Sequence, residues 1–171
     1  RAAPGRPGVH PCPAPAAGIV GTTLTNLRMS LPWFLRSRPW AKPVYPPKPD
    51  SFRRWVTNAQ TEDVAQEIYA DLVCESGRVN WEMLLATLRL SGATVVDYAA
   101  VTTPVLVMGG ERDRIVPAAV VRQTAARYQR GTAVEISGAD HRVFSGTALP
   151  VTMRHIDDWL ARNQLSSSAT N

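Results

Sequence analysis

The apolar positions of this chain change rhythm near residue 100. After Tyr98 they gather into two short β-branched runs, Pro104-Val105-Leu106-Val107-Met108 and Thr132-Ala133-Val134-Glu135-Ile136. The first is wholly apolar, the pattern of a strand buried on both faces. It leads to a helix opening at Pro117, with Val121, Thr124, Ala125 and Tyr128 on one face and Gly131 as terminator. The second leads to a helix opening near Pro150, with Met153, Ile156, Trp159 and Leu160 turned inward. Strand–helix–strand–helix with buried strands predicts parallel α/β layering.

Before residue 100 helical spacing dominates. Leu24, Leu27, Leu31 and Phe34 recur roughly as one helical face. Thr61 is placed to cap a helix that carries Glu62 and Asp63 in its first turn, with Val64, Ile68, Tyr69, Leu72 and Val73 as its apolar face. Trp81, Leu84, Leu85 and Leu88 repeat at i, i+3, i+4 and i+7, and Gly92 stands where a C-cap is expected. No strand is predicted between these helices. The prolines from Pro39 to Pro49 forbid regular structure there and predict a long irregular connection. Between Val9 and Val20 there is room for one poor strand, but Pro11, Pro13 and Pro15 cannot donate to a ladder and argue against a central one.

Composition narrows the class. The 171 residues, 44% of them hydrophobic, suffice for one domain with its own core. No run approaches the length of a membrane span, and the N-terminal Arg is followed by no apolar signal-peptide core. A start at Arg rather than Met predicts either a removed leader or a piece of something longer. Cys12 and Cys74 make no disulfide framework or metal spacing, and reduced thiols in a cytoplasmic protein are expected; the chain as a whole implies no metal or organic cofactor. The net charge of +5 is concentrated: Arg28, Arg36, Arg38, Lys42, Lys48, Arg53 and Arg54 face only Asp50. Interleaved with Trp33, Phe34, Trp40, Tyr45 and Trp55, these cations suit stacking on bases or an anionic lipid surface. No nucleic-acid fold signature accompanies them, so nucleic acid is disfavoured. An apolar pocket lined by the aromatics, with solvated arginines, is the preferred reading.

The candidate chemistry follows the two strands. Gly109 and Gly110 are placed to let the chain turn sharply after the first, and Asp113 lies just beyond. The second ends in Gly138-Ala139-Asp140-His141. In open α/β sheets chemistry is done at the carboxyl ends of the strands. An aspartate that orients a histidine, so that the histidine can take a proton from a hydroxyl, is the logic of serine hydrolysis. Asp113 and His141 are therefore the candidate acid and base. Asp140 is expected to face solvent rather than replace Asp113, and His155 to lie on a helix surface; His10 carries no signal.

Gly110-Glu111-Arg112-Asp113 after a Val/Leu strand, Ile115-Val116-Pro117 after the aspartate, and Gly138-Ala139-Asp140-His141 before the final helix resemble the C-terminal part of the α/β-hydrolase fold. The resemblance implies the second half of that family's parallel sheet, preceded by a mainly helical cap, with Asp113 as triad acid and His141 as general base. It divides the chain into a strand remnant or loop (1–21), a helical cap (22–99), a βαβα part of the hydrolase core (100–163) and a disordered tail (164–171). It also implies hydrolysis of a small-molecule ester or related acyl bond. One element of the pattern is missing: no serine or cysteine has the glycines of a Gly-x-Ser-x-Gly elbow, and the HGGG-type oxyanion loop is absent. The expected chain is thus a truncated hydrolase, inactive alone, whose open sheet edge invites self-association.

Overall fold

The most apolar run of the chain becomes the middle of a sheet. The computed structural model describes residues 8–11, 13, 16, 19, 21, 23–87, 90, 92 and 95–163. Among them three parallel strands, β1 (Gly8–Pro11), β2 (Val105–Gly110) and β3 (Gly131–Ile136), pair in the order β1-β2-β3. Gly8 lies opposite Val105, and Gly110 opposite Ile136. All of β2 is buried. Its period of two sends Val105 and Val107 to one face, with Ile19, Val116, Val120, Val121 and Ala125, and Leu106 and Met108 to the other, with Ile136, Val143, Ala148 and Trp159. Each face carries its own helix: α5 (Ala118–Ala125) packs on the first and α6 (Ala148–Arg162) on the second. This is the expected α/β layering.

The prolines decide β1. It is four residues long, stops at Pro11 and lies at the edge of the described sheet, where a missing donor costs least. β3 differs from the buried strand expected of it: its positions alternate between exposed and half-buried, and only Ile136 is fully buried, because it too lies at an edge of the described sheet.

Between β1 and β2 the chain forms α1 (Leu24–Phe34), α2 (Pro49–Trp55), α3 (Glu62–Ala70) and α4 (Gly77–Thr87). No strand interrupts them among the described residues; an antiparallel bridge between Val44 and Glu75 is the nearest thing to one. The proline-dense stretch is more regular than expected. Pro39–Ala41 forms a 3₁₀ turn, and Pro49 opens α2 from a first-turn position whose N–H needs no helical partner. None of these helices is long and apolar enough to cross a membrane, nor is any other among the described residues.

Several apolar faces differ from their expected orientation. In α1, Leu24 and Leu31 are exposed and Trp33 is buried instead, where its ring packs edge-on against Phe34. Thr61 precedes α3, yet its side chain makes no capping bond; its carbonyl receives the Ala65 N–H. Val73 lies beyond the end of α3 and is 74% exposed. Helix α4 is described as far as Thr87; Leu88, and with it the approach to Gly92, lies outside the described residues. Gly131 opens β3 rather than ending a helix: a Cβ there would strike the Ala125 carbonyl, where α5 closes onto the strand. Along α6, Trp159 is buried while Met153 is exposed, and Thr152 takes the inward position by donating to the Val143 carbonyl at 2.7 Å.

Candidate active site

Gly109 and Gly110 do not turn the chain; both belong to β2. They are needed for close approach. A Cβ on Gly109 would strike Val121, and one on Gly110 would strike the carbonyl oxygens of Ala139 and Asp140. The histidine-bearing loop therefore packs directly on the end of the central strand. Beyond Gly110 the ladder continues for one step, with Glu111 N–H donating to the Ile136 carbonyl at 3.0 Å, and Arg112 N–H then donates to the Ala139 carbonyl at 2.7 Å.

Asp113 sits at the turn that follows. One carboxylate oxygen, Oδ1, accepts the backbone N–H groups of Ile115 at 2.7 Å and Val116 at 2.8 Å. The other, Oδ2, lies 2.9 Å from His141 Nδ1, and the carboxylate is closed to solvent. An ionised carboxylate only accepts, so the contact assigns the imidazole proton to Nδ1 and leaves Nε2 as the basic atom. The His141 side chain is 27% exposed and lines a recess of about 260 Å³ with Pro11, Arg142, Val143 and Phe144. The two residues predicted from the sequence are thus brought together, at the carboxyl ends of adjacent strands, with Pro11 of β1 beside them.

Two further carboxylates hold the loops. Glu111 Oε2 accepts from Gly138 N–H at 2.7 Å and Ser137 Oγ–H at 3.0 Å, bonds that hold its carboxyl below the ordinary value. Gly138, at φ +71°, takes the left-handed conformation this turn requires. Asp140 does not face solvent as expected: it is fully buried. Its Oδ2 accepts Ala59 N–H at 2.8 Å, and its Oδ1 accepts Gln60 Nε2–H and Arg142 N–H, both at 2.9 Å.

The helical segment meets the site through the loop between α2 and α3. Asn58 Nδ2 donates to the Arg112 carbonyl at 3.1 Å, beside the contacts of Ala59 and Gln60 with Asp140. From α1, Asn26 Nδ2 donates to the Ile115 carbonyl at 2.9 Å. Sequence reading missed Asn26, Asn58 and Gln60. A polar run between two helices carries no mark that distinguishes a buried bracket from a solvated loop.

The basic aromatic stretch divides. Trp33, Phe34, Trp40 and Trp81 form a chain of ring contacts with centroids 4.6–6.3 Å apart. Trp55 instead has the guanidinium groups of Arg54 and Arg114 within 6.0 Å of its ring centroid, in a polar cleft of about 750 Å³. His10 is exposed and stacks on Tyr128, His155 is half-buried on α6, and Cys74 is an exposed free thiol. Cys12 lies outside the described residues. Among the described residues no group of three or more His, Cys, Asp or Glu is arranged to hold a metal ion.

Comparison with known proteins bears on the family and the fold. The family described as serine aminopeptidase, S33, matches residues 11–147. No curated protein matches the sequence. The fold is similar to that of a monoacylglycerol lipase from Paleococcus ferrophilus, at 20% identity and a TM-score of 0.58, over 92% of this chain and 59% of that one. It is also similar to the Mycobacterium tuberculosis protein described as non-heme bromoperoxidase BpoC, at 16% identity and a TM-score of 0.51, over 95% of this chain and 59% of that one. The chain therefore spans about three-fifths of the length of these solved relatives.

Proposed function

The chain belongs to the serine aminopeptidase S33 family, within the α/β-hydrolases, and from that premise we propose that it supplies the acid and the base of a serine hydrolase. Asp113 is the acid and His141 the base. The observation that carries this reading is the 2.9 Å contact between His141 Nδ1 and a buried carboxylate whose other oxygen is already fixed by two backbone amides. In the reaction, His141 Nε2 takes the proton of a serine hydroxyl as its oxygen attacks an acyl carbon. Nε2 then returns that proton to the departing alcohol or amine, and water releases the acyl group by the same steps. Asp113 holds the ring and stabilises the imidazolium while it exists.

The substrate in this reading is a small-molecule ester or related acyl compound. The helices between β1 and β2 act as the cap over it, and the core comprises β1 together with residues 100–163. The sequence contains no Gly-x-Ser-x-Gly, so the nucleophile is assigned to sequence outside these 171 residues. Fluorophosphonate labelling of this chain, read by intact mass, tests that assignment. No adduct is expected. An adduct or ester hydrolysis abolished by His141→Ala would put an activated nucleophile within the chain and overturn it.

A second reading rests on Trp55, whose ring has the guanidinium groups of Arg54 and Arg114 over it in a polar cleft. In it the stretch 28–55 is a non-enzymatic binding surface for nucleic acid or anionic lipid. Salt-sensitive binding lost in Arg53→Ala/Arg54→Ala would favour it. The packing of Trp33, Phe34, Trp40 and Trp81 on one another favours the cap instead.

A further inference from the structure

We propose that Asp140 is a positioning residue that makes the orientation of His141 depend on the seating of the loop between α2 and α3. The proposal rests on the reading of His141 as the base. Asp140 immediately precedes His141, and its carboxylate is fully buried. The three groups that satisfy it are uncharged N–H donors: Ala59 and Gln60 from the helical segment, and Arg142 from the histidine loop itself. A buried carboxylate with no cation among these partners is an expensive way to hold two loops together, and it tolerates no partial loss of its donors. Asparagine cannot replace it cleanly, because one face of the amide would point N–H at N–H.

The geometry makes the bracket act on the pair rather than on the fold at large. Asn58, in the same loop, donates to the carbonyl of Arg112, the residue before Asp113. Three consecutive residues, Asn58, Ala59 and Gln60, thus reach the residue preceding the acid and the residue preceding the base. Gly146, at φ +52°, keeps the far side of the histidine loop open to Gln60, since a Cβ there would strike the Gln60 side-chain oxygen. If the loop lifts with α2 and α3, both Asp140 oxygens lose a donor. The backbone at 140–141, and with it the ring of His141, is then released from Asp113. Movement of the helical segment over a substrate is in this way transmitted to the base.

The test is proton and nitrogen NMR of the chain with labelled histidine, observing the Nδ1–H of His141. In the unsubstituted chain this proton is expected far downfield and should vanish in Asp113→Asn. Asp140→Asn and Gln60→Ala should each lose it or move it upfield while the protein remains folded. Val120→Ala, a core change in the other hydrophobic cluster, should lower stability and leave it in place. A folded Asp140→Asn with the resonance unmoved overturns the proposal and leaves the acid–base pair standing; if that variant does not fold, Gln60→Ala decides in the same way. If the unsubstituted chain has no such proton dependent on Asp113, the pair itself fails, and the proposal with it.

Discussion

Gln60 and Asp140 lie 80 residues apart in the chain and 2.9 Å apart in the fold, with both side chains withdrawn from water. One belongs to the loop between two helices, the other to the loop that carries the candidate base. Closing so long a connection costs entropy that a lone hydrogen bond does not recover. The contact persists in company: Ala59 N–H on the same carboxylate, Asn58 on the acid loop and Asn26 on the Ile115 carbonyl distribute the docking over several bonds. The site is thus held from two sides, by the sheet below and by the helical segment above.

Gly110→Ala should damage the site from below. The added Cβ meets backbone oxygens of Ala139 and Asp140, which cannot swing aside as a side-chain tip can. A loss of about 1–3 kcal/mol is expected from overpacking, together with disturbance of the His141–Asp113 contact. Urea unfolding and the Nδ1–H resonance measure the two effects separately. A variant unchanged in both would mean that the close packing of the histidine loop on β2 is dispensable.

Glu111 gives an acid-dependent prediction. Its carboxyl is held below the ordinary value of 4.5, first by Gly138 N–H and then by the Ser137 hydroxyl. A depressed folded value means that its contribution is fully present above the unfolded value and is lost as pH falls through the folded one. The stability difference between the unsubstituted chain and Glu111→Gln should therefore be constant near neutrality and shrink below about pH 4.5. Denaturant midpoints across pH 3–7 check it. A difference that grows in acid would contradict the assigned sign.

The parts of the fold that were legible are those with a local period. β2 declared itself because both of its faces are buried, so every residue is apolar; α5 followed because Val121, Thr124 and Ala125 share one face. The meeting of Asp113 and His141 was legible because each stands just past the end of a strand. What stayed hidden depends on contacts between distant segments. Asp140 reads as solvent-facing because aspartates usually are, and its burial is decided by Ala59 and Gln60. Leu24 and Leu31 have helical spacing but are covered by no element among the described residues, while Trp33, off that face, is buried. Gly110 looked like a turn residue because absence of a side chain reads the same for turning and for close approach.

Trp159 anchors the second face of the sheet. It is 1% exposed and packs in the cluster with Leu106, Met108 and Ile136. Trp159→Ala should cost about 3–5 kcal/mol, the range for deleting a large buried aromatic side chain. Thermal and urea unfolding give the value. A loss under about 1 kcal/mol would indicate that α6 is only loosely docked.

β3 offers an edge. Its outward positions alternate in exposure, and among the described residues nothing pairs beyond it. Self-association that rises with concentration is expected, and Ala133→Lys, a charge on an edge strand, should reduce it. Sedimentation velocity over a concentration series distinguishes the outcomes; a monomer at all concentrations would mean that the edge is protected.

The sharpest test of the acid is Asp113→Asn. The amide oxygen can keep the N–H groups of Ile115 and Val116, which Asp113 Oδ1 now holds at 2.7 and 2.8 Å, so the turn should survive. The amide nitrogen then faces His141 Nδ1 and donates to it, which drives the imidazole proton from Nδ1 to Nε2. A ring protonated at Nε2 cannot accept from a hydroxyl there, and in an enzyme assembled with its nucleophile the equivalent loss is about 10⁴-fold in kcat. In this chain the direct readout is the pair of imidazole nitrogen shifts, which should exchange their protonated and unprotonated character while urea stability changes by only about 1 kcal/mol. If Nδ1 remains the protonated nitrogen in the variant, Asp113 does not set the tautomer, and its assignment as the orienting acid falls.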